Sequence, residues 1–184
     1  GMDLLQLVSD LQAENSNPGS IFENHLTTKT AIAGHSMGGG ATFLAAAGAS
    51  GVTTVIGLAP AETTPSAITA AANVNVPALV FSADEDLVTP AMDHHTPIYN
   101  GLNSSCKYFV NIIGGGHCYY ANSNFNCDFG EGSSGGNISI TRSEQQAILY
   151  RYMLPWLDLY LKDDCSKSTV FETDLAQDPE VTFQ

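Results

Sequence analysis

Positive charge is scarce in this sequence. Its 184 residues include 6 Lys and Arg against 19 Asp and Glu, a formal net charge of -13 at pH 7. Nucleic acid is a polyanion that proteins bind with basic side chains, so we expect this chain to have no nucleic-acid partner. An uncharged or cationic substrate fits the charge better.

Long apolar runs are also absent. The longest, residues 52–60 and 76–82, have the length of a strand, whereas a membrane-spanning helix needs about 20 consecutive apolar residues. We therefore expect a soluble protein with no transmembrane segment. The hydrophobic content of 43% is sufficient for a packed core, and the chain length suits one globular domain.

Cysteine is limited to four residues, and none of them forms a C-x-x-C pair. This spacing argues against a zinc knuckle or a thioredoxin-like redox motif. An even number allows two disulfides, and we predict the pairs Cys118–Cys127 and Cys106–Cys165. Disulfides persist in oxidising compartments, so we expect a secreted or periplasmic protein, with free thiols in the cytosol as the alternative.

Strand-like and helix-like segments alternate along the chain. The hydrophobic patterns predict helices over 3–14, 37–48, 91–102 and 141–163, and strands over 28–34, 52–58, 76–81 and 107–113. Such alternation is typical of an α/β fold, in which helices cover both faces of a mostly parallel sheet. We divide the single domain into a leading helix and loop (1–27), a core (28–163) and a tail (164–184).

Two further segments lack a regular pattern. Residues 114–136 are rich in Gly, Ser and Asn, and their length predicts a functional or mobile loop. The tail beyond residue 166 is polar and shows little periodicity. Pro155, inside the last predicted helix, should kink or interrupt it.

The segment Gly34-His35-Ser36-Met37-Gly38 fits the pattern Gly-x-Ser-x-Gly and lies between a predicted strand and a predicted helix. In that setting the pattern indicates a nucleophile elbow, where two glycines permit a tight turn that lifts the serine hydroxyl above the sheet. The first turn of the following helix supplies N–H groups beside a developing oxyanion. An incidental serine in a Gly-rich turn is the alternative.

A serine hydroxyl needs a histidine to accept its proton. The chain has five histidines, at positions 25, 35, 94, 95 and 117. His35 should point away from Ser36, His25 precedes the strand, and His94 and His95 flank a helix. His117 follows a strand and three glycines, on a loop able to carry its imidazole over the carboxyl ends of the strands.

A carboxylate must then orient the histidine. Asp84, Glu85 and Asp86 all follow the predicted strand 76–81, and spacing alone does not choose among them. With any of them the chain order is serine, acid, histidine, which is the order of α/β-hydrolases and not of chymotrypsin-like or subtilisin-like enzymes.

Four segments together resemble one family. GHSMGGG, VPALVFSADEDLVTP, PIYNGL and FVNIIGGGH are similar to the polyesterase, cutinase and poly(ethylene terephthalate) hydrolase group of the α/β-hydrolase superfamily, related to dienelactone-hydrolase-like and chlorophyllase-like esterases. The similarity covers about residues 30–117. It implies that Asp86 is the acid and that the backbone N–H of Met37 is an oxyanion donor. It also implies a substrate site that includes Ala61, Val88, Cys118 and Tyr119.

The sequence departs from this group in three places. The Ala-Pro-Trp segment of the polyester-cleaving members is Ala59-Pro60-Ala61 here. A disulfide of some members would need cysteines at Ala83 and Tyr119. In an α/β-hydrolase, four strands normally precede the elbow, whereas only 35 residues precede Ser36. We therefore expect a partial α/β-hydrolase fold without the N-terminal strands.

The sequence thus favours a serine hydrolase of carboxylic esters that works through an acyl-enzyme and needs no metal or organic cofactor. One alternative is an acyl-peptide or oligopeptidase-like serine peptidase. Another is a catalytically weak remnant that acts as a binding module, because a missing second oxyanion donor reduces kcat by about 10²–10³. The strand 28–34, bare on one side, predicts a homo-oligomer formed through that edge.

Overall fold

A five-stranded sheet organises the chain, and the computed structural model describes all residues 1–184. The strands are β1 (Ala31–His35), β2 (Thr54–Leu58), β3 (Ala78–Ala83), β4 (Lys107–Ile112) and β5 (Val181–Phe183). They lie side by side in that order, with β1 to β4 parallel and β5 antiparallel to β4. The predicted α/β class with a mostly parallel sheet is confirmed.

Helices connect the parallel strands and cover the sheet. They are α1 (Met2–Asn15), α2 (Met37–Ala46), α3 (Ala67–Ala71), α4 (His95–Gly101), α5 (Phe125–Ser134) and α6 (Arg142–Leu161). None of them combines the length and apolar character that crossing a bilayer requires. This arrangement is consistent with a partial α/β-hydrolase fold.

Two apolar clusters lie on the two faces of the sheet. Successive strand residues point to opposite faces, so Val55 joins the cluster of α2, α3 and α4, while Ile56 joins the cluster of α6 and the tail. The indole N–H of Trp156 in α6 donates to the Thr54 hydroxyl over 2.7 Å. Burial on both faces explains why the strands have continuous hydrophobic sequences and not alternating ones.

Two predictions about the last third of the chain are wrong. The segment 114–136, predicted as a loop, contains α5, and the tail adds helical turns and β5 to the sheet. Pro155 does not interrupt α6, which runs through it to Leu161. The carbonyl that loses its donor to proline belongs to Arg151, on an exposed turn that is open to solvent.

The predicted disulfide between Cys106 and Cys165 is also wrong, because both thiols are free. The sulfur of Cys106 lies 2.9 Å from the hydroxyl of Tyr160 in α6, and Cys165 is exposed beyond the end of that helix. Cys106, just before β4, does lie against α6, but the residue of the helix opposite it is Tyr160.

The parallel register brings the ends of neighbouring strands to one edge of the sheet. His35, Leu58, Phe81 and Val110 are successive partners across β1 to β4. The segments that follow β1, β3 and β4 therefore leave the sheet side by side, and these segments contain the residues selected from the sequence. β1 pairs with β2 alone and forms one edge of the sheet.

Candidate active site

Ser36 lies in a sharp turn between β1 and α2. Its backbone has φ 57° and ψ -124°, a region in which residues with a Cβ are strained. The turn is fixed by hydrogen bonds from the N–H of Ser36 to the carbonyl of Leu58 (3.0 Å) and from the N–H of Ala61 to the carbonyl of Ser36 (2.9 Å). A Cβ at Gly34 would lie 2.2 Å from the carbonyl oxygen of Gly38, so this close turn requires glycine.

The structure brings together Ser36, His117 and Asp86. The Nε2 atom of His117 lies 2.9 Å from the hydroxyl of Ser36, and Nδ1 lies 2.8 Å from Oδ2 of Asp86. A proton on Nδ1, donated to the carboxylate, leaves Nε2 free to accept the proton of the serine. The side chains of His117 and Asp86 are 3% and 0% exposed, so the solvent competes little for these hydrogen bonds.

The other two candidate acids have different contacts. Asp84 accepts a hydrogen bond from the N–H of Gly114 over 2.6 Å, and Glu85 accepts one from the N–H of Asn137 over 2.8 Å. Both carboxylates tie the loop after β3 to neighbouring loops, and only Asp86 contacts the imidazole of His117.

The carboxylate of Asp86 accepts four hydrogen bonds. The N–H groups of Val88 (3.0 Å) and Thr89 (2.7 Å) donate to Oδ1, while the Thr89 hydroxyl (2.9 Å) and His117 donate to Oδ2. Burial alone raises the pKa of Asp86, but the hydrogen bonds from His117 and the Thr89 N–H outweigh it and hold this pKa below its ordinary value. The group is therefore an anion at neutral pH.

The loop that carries His117 is held from two sides. Glu131, a buried carboxylate in α5, accepts hydrogen bonds from the N–H groups of His117 and Cys118. His35 points away from Ser36, as expected, and its Nε2 donates to the carbonyl of His117 over 2.9 Å. Burial and the adjacent His117 ring lower the pKa of His35, which keeps it neutral.

The predicted disulfide between Cys118 and Cys127 is confirmed. It joins the residue after His117 to the first turn of α5 and thereby fixes the helix that supplies Glu131. The side chain of Cys118 is buried in this bridge. The guanidinium carbon of Arg142 lies over the ring of Tyr119, 4.6 Å from the ring centre.

The remaining predicted site residues lie around the elbow. Met37 is the first residue of α2, where a backbone N–H has no acceptor within the helix. Its side chain is 73% exposed and borders an open depression of about 630 Å³. Ala61 is buried beneath the elbow, whereas Val88 is exposed beside Asp86. Nowhere do three or more His, Cys, Asp or Glu side chains meet in a way that would hold a metal ion.

Sequence reasoning missed three polar residues of the site: Thr89, His95 and Glu131. Thr89 and His95 are buried beside Asp86, and both belong to its hydrogen-bond network. Their only sequence signal is proximity to Asp86. Glu131 has no such signal, because it lies 14 residues beyond His117 in a segment without hydrophobic periodicity.

Known proteins resemble this chain over about half its length. It is 34% identical over 92 residues to Cutinase 1 of Thermobifida cellulosilytica. The matched segment covers 50% of this chain and 34% of that protein. It is 35% identical over 105 residues to bis(hydroxyethyl) terephthalate hydrolase of Streptomyces coelicolor, a match that covers 57% of this chain and 31% of that protein. It is 35% identical over 101 residues to cutinase est1 of Thermobifida alba, a match that covers 54% of this chain and 33% of that protein. The matched part thus spans about a third of these relatives.

A family model covers far more of the chain than any of these pairwise matches. The model of the PET hydrolase-like family, PETase, matches residues 2–179, from α1 to just before β5. On this match the chain belongs to the PET hydrolase-like family.

Proposed function

We propose that this protein hydrolyses carboxylic esters with Ser36 as nucleophile. The observation that carries the proposal is the continuous series of hydrogen bonds from the Ser36 hydroxyl through His117 to Asp86. The strained elbow supports it, because backbone strain of this kind concentrates at active sites.

In the proposed reaction, Nε2 of His117 takes the proton of Ser36 as the serine oxygen attacks the acyl carbonyl. The backbone N–H of Met37 donates to the oxyanion, and Asp86 stabilises the imidazolium. His117 then gives the proton to the leaving alcohol, and water hydrolyses the acyl-serine by the same steps in reverse order. These steps need no metal or organic cofactor.

The substrate class follows from charge and from the exposed apolar side chains near the elbow. Met37, Leu87 and Val88 are all exposed, and the net charge is -13. We propose an uncharged ester with an apolar acyl or alcohol group, because a carboxylate on the substrate would be repelled. Ala61 is small and buried where the polyester-cleaving relatives have tryptophan, which disfavours an aromatic polyester.

Labelling with a fluorophosphonate and hydrolysis of p-nitrophenyl esters test the assignment. We expect Ser36→Ala, His117→Ala and Asp86→Asn to lose both activities, while the matched controls Asp84→Asn and Glu85→Gln keep them. Labelling that survives in Ser36→Ala would refute the proposal. Faster cleavage of peptide anilides than of esters would indicate a serine peptidase instead, and a folded chain that binds esters without cleaving them would indicate a binding module.

We also propose a secreted or periplasmic location. The Cys118–Cys127 disulfide supports it, because such bonds persist in oxidising compartments. Fractionation of the producing cells tests this, and recovery of the protein from the cytosol alone would contradict it.

Self-association through residues 28–34 is a further proposal. β1 has no partner strand on its outer side, and the charge of Lys29, which would oppose pairing with a second copy, is neutralised by an ion pair with Asp163. Light scattering during size-exclusion chromatography should show a dimer that the exposed-site variant Ala33→Lys disrupts. A stable monomer at all concentrations would refute it.

A further inference from the structure

A second histidine lies buried beside Asp86, and the proposed reaction does not use it. His95, in the first turn of α4, is 0% exposed, and its Nε2 lies 3.6 Å from Oδ2 of Asp86. Burial lowers the pKa of His95 to about 4, so the ring is neutral at pH 7. A neutral imidazole has one N–H donor and one acceptor nitrogen, and the neighbouring groups decide which is which.

The hydroxyl of Thr89 stands between His95, Asp86 and His117. It lies 2.9 Å from Oδ2 of Asp86, 3.0 Å from Nε2 of His95 and 2.8 Å from Nδ1 of His117. A carboxylate only accepts hydrogen bonds, so the single proton of Thr89 points to Asp86. Nε2 of His95 must then carry the N–H and donate it to the Thr89 oxygen. Nδ1 of His95 accepts from the hydroxyl of Ser82, 2.8 Å away.

The position of this hydroxyl creates a choice for His117. Its Nδ1–H has two acceptors at the same distance of 2.8 Å, the carboxylate of Asp86 and the oxygen of Thr89. Only the carboxylate carries the charge that stabilises an imidazolium. The Thr89 oxygen has two lone pairs, and donation from His95 occupies one of them, so the Thr89 oxygen is the poorer of the two acceptors for His117.

Building on the proposed function, we propose that His95 is a positioning residue that, through the Thr89 hydroxyl, directs the Nδ1–H of His117 onto Asp86. His95 acts through Thr89 and touches no reacting atom. A merely structural role would require only that the buried groups be hydrogen-bonded, whichever acceptor His117 used.

Two matched pairs of variants separate these roles. Thr89→Ser keeps the hydroxyl and Thr89→Val removes it; His95→Gln keeps a donor and an acceptor and His95→Leu removes both. For p-nitrophenyl esters we expect His95→Leu to lower kcat about five- to tenfold, the value of one hydrogen bond, with little change in KM. Thr89→Val removes the competing oxygen itself and leaves Asp86 as the acceptor of the Nδ1–H, so its kcat should fall less than that of His95→Leu. Thr89→Ser and His95→Gln should keep kcat near the wild-type value.

The pH profile supplies a second readout. Loss of the Thr89 donor leaves more charge on Asp86, so the acid limb of kcat/KM should move to higher pH in Thr89→Val and stay in place in Thr89→Ser. The other titratable groups facing this network are unchanged in all four variants: His35, His94, Tyr120, Asp84 and Glu131. Equal losses of kcat in His95→Gln and His95→Leu would indicate packing alone and overturn the proposal.

Nuclear magnetic resonance of the folded protein tests the proposal without reference to activity. Nitrogen shifts should show His95 protonated on Nε2 at pH 7, and the downfield proton of His117 Nδ1–H should persist in Thr89→Ser and move in Thr89→Val. A proton on Nδ1 of His95 would refute the network. If Ser36→Ala hydrolysed esters as well as the wild type, the proposed function would fail, while these spectra would still decide the hydrogen bonding.

Discussion

Loss of the Cys118–Cys127 disulfide should destabilise the protein by about 2.6 kcal/mol. The two cysteines are nine positions apart, and the entropy of closing a loop of that length in the unfolded chain corresponds to this value at 25 °C. For a domain of this size, 1 kcal/mol changes the melting temperature by about 2–4 °C. We therefore expect Tm to fall by roughly 5–10 °C in the double variant Cys118→Ala, Cys127→Ala.

Thermal unfolding followed by circular dichroism measures the effect, with Cys165→Ala as the matched control. Cys165 is an exposed free thiol, so this control should melt like the wild type. Reduction of the wild-type protein with dithiothreitol should reproduce the loss and separate the cross-link from the packing of Cys118. A Tm unchanged by both the double substitution and reduction would refute the assignment of stability to this bridge.

Three further changes have calculable outcomes. The pKa of His95 is 6.5 in the unfolded chain and about 4 in the folded protein, so between these two pH values the unfolded chain binds more protons. The free energy of unfolding should therefore fall by up to about 3 kcal/mol as the pH drops from 6.5 to about 4. Urea unfolding should show a smaller loss in His95→Gln; equal losses would contradict this. Trp156→Phe removes the hydrogen bond to Thr54 and leaves a void, so guanidinium unfolding should show a loss of about 2–3 kcal/mol. In Glu131→Gln, the amide N–H₂ faces the backbone N–H of either His117 or Cys118, and that N–H loses its acceptor. Because His117 is then held less firmly, kcat for ester hydrolysis should fall about tenfold at constant KM. An unchanged kcat would contradict this role of Glu131.

The parts of the fold that hydrophobic burial determines were predictable from the sequence. β2 and β3 are buried on both faces, so their continuous apolar runs marked them, and the glycines of the elbow marked the turn between β1 and α2. The approximate positions of Ser36 and His117 follow from β1 and β4, because Ser36 comes directly after β1 and His117 lies on the loop that leaves β4.

Helix α5 shows why the rest was not predictable. Phe125 and Phe129, its large apolar residues, are exposed, and its one buried side chain is the carboxylate of Glu131. The helix is capped by Asn124 and tethered through Cys127, and neither contact produces hydrophobic periodicity. The pattern of charge and apolarity in this segment is therefore inverted relative to a helix that packs on a core.

The tail and the free cysteines depend on tertiary contacts. β5 has three residues and exists through its pairing with β4, a signal too short for any periodicity. The prediction of a Cys106–Cys165 bridge needs Cys165 opposite Cys106, but that position is taken by the hydroxyl of Tyr160. Which side chain of α6 faces the strand depends on the rotation of the helix, and the sequence pattern does not determine that rotation to one residue.

The backbone of Ser36 also bears on the stability of this chain. A side chain in that conformation costs about 1–3 kcal/mol, which glycine would not incur. If the hydroxyl had no use, substitution by glycine would increase stability, and drift under selection for folding alone would favour it. A serine held where the fold itself prefers glycine is what the proposed reaction requires, and Ser36→Gly should therefore be more stable and inactive.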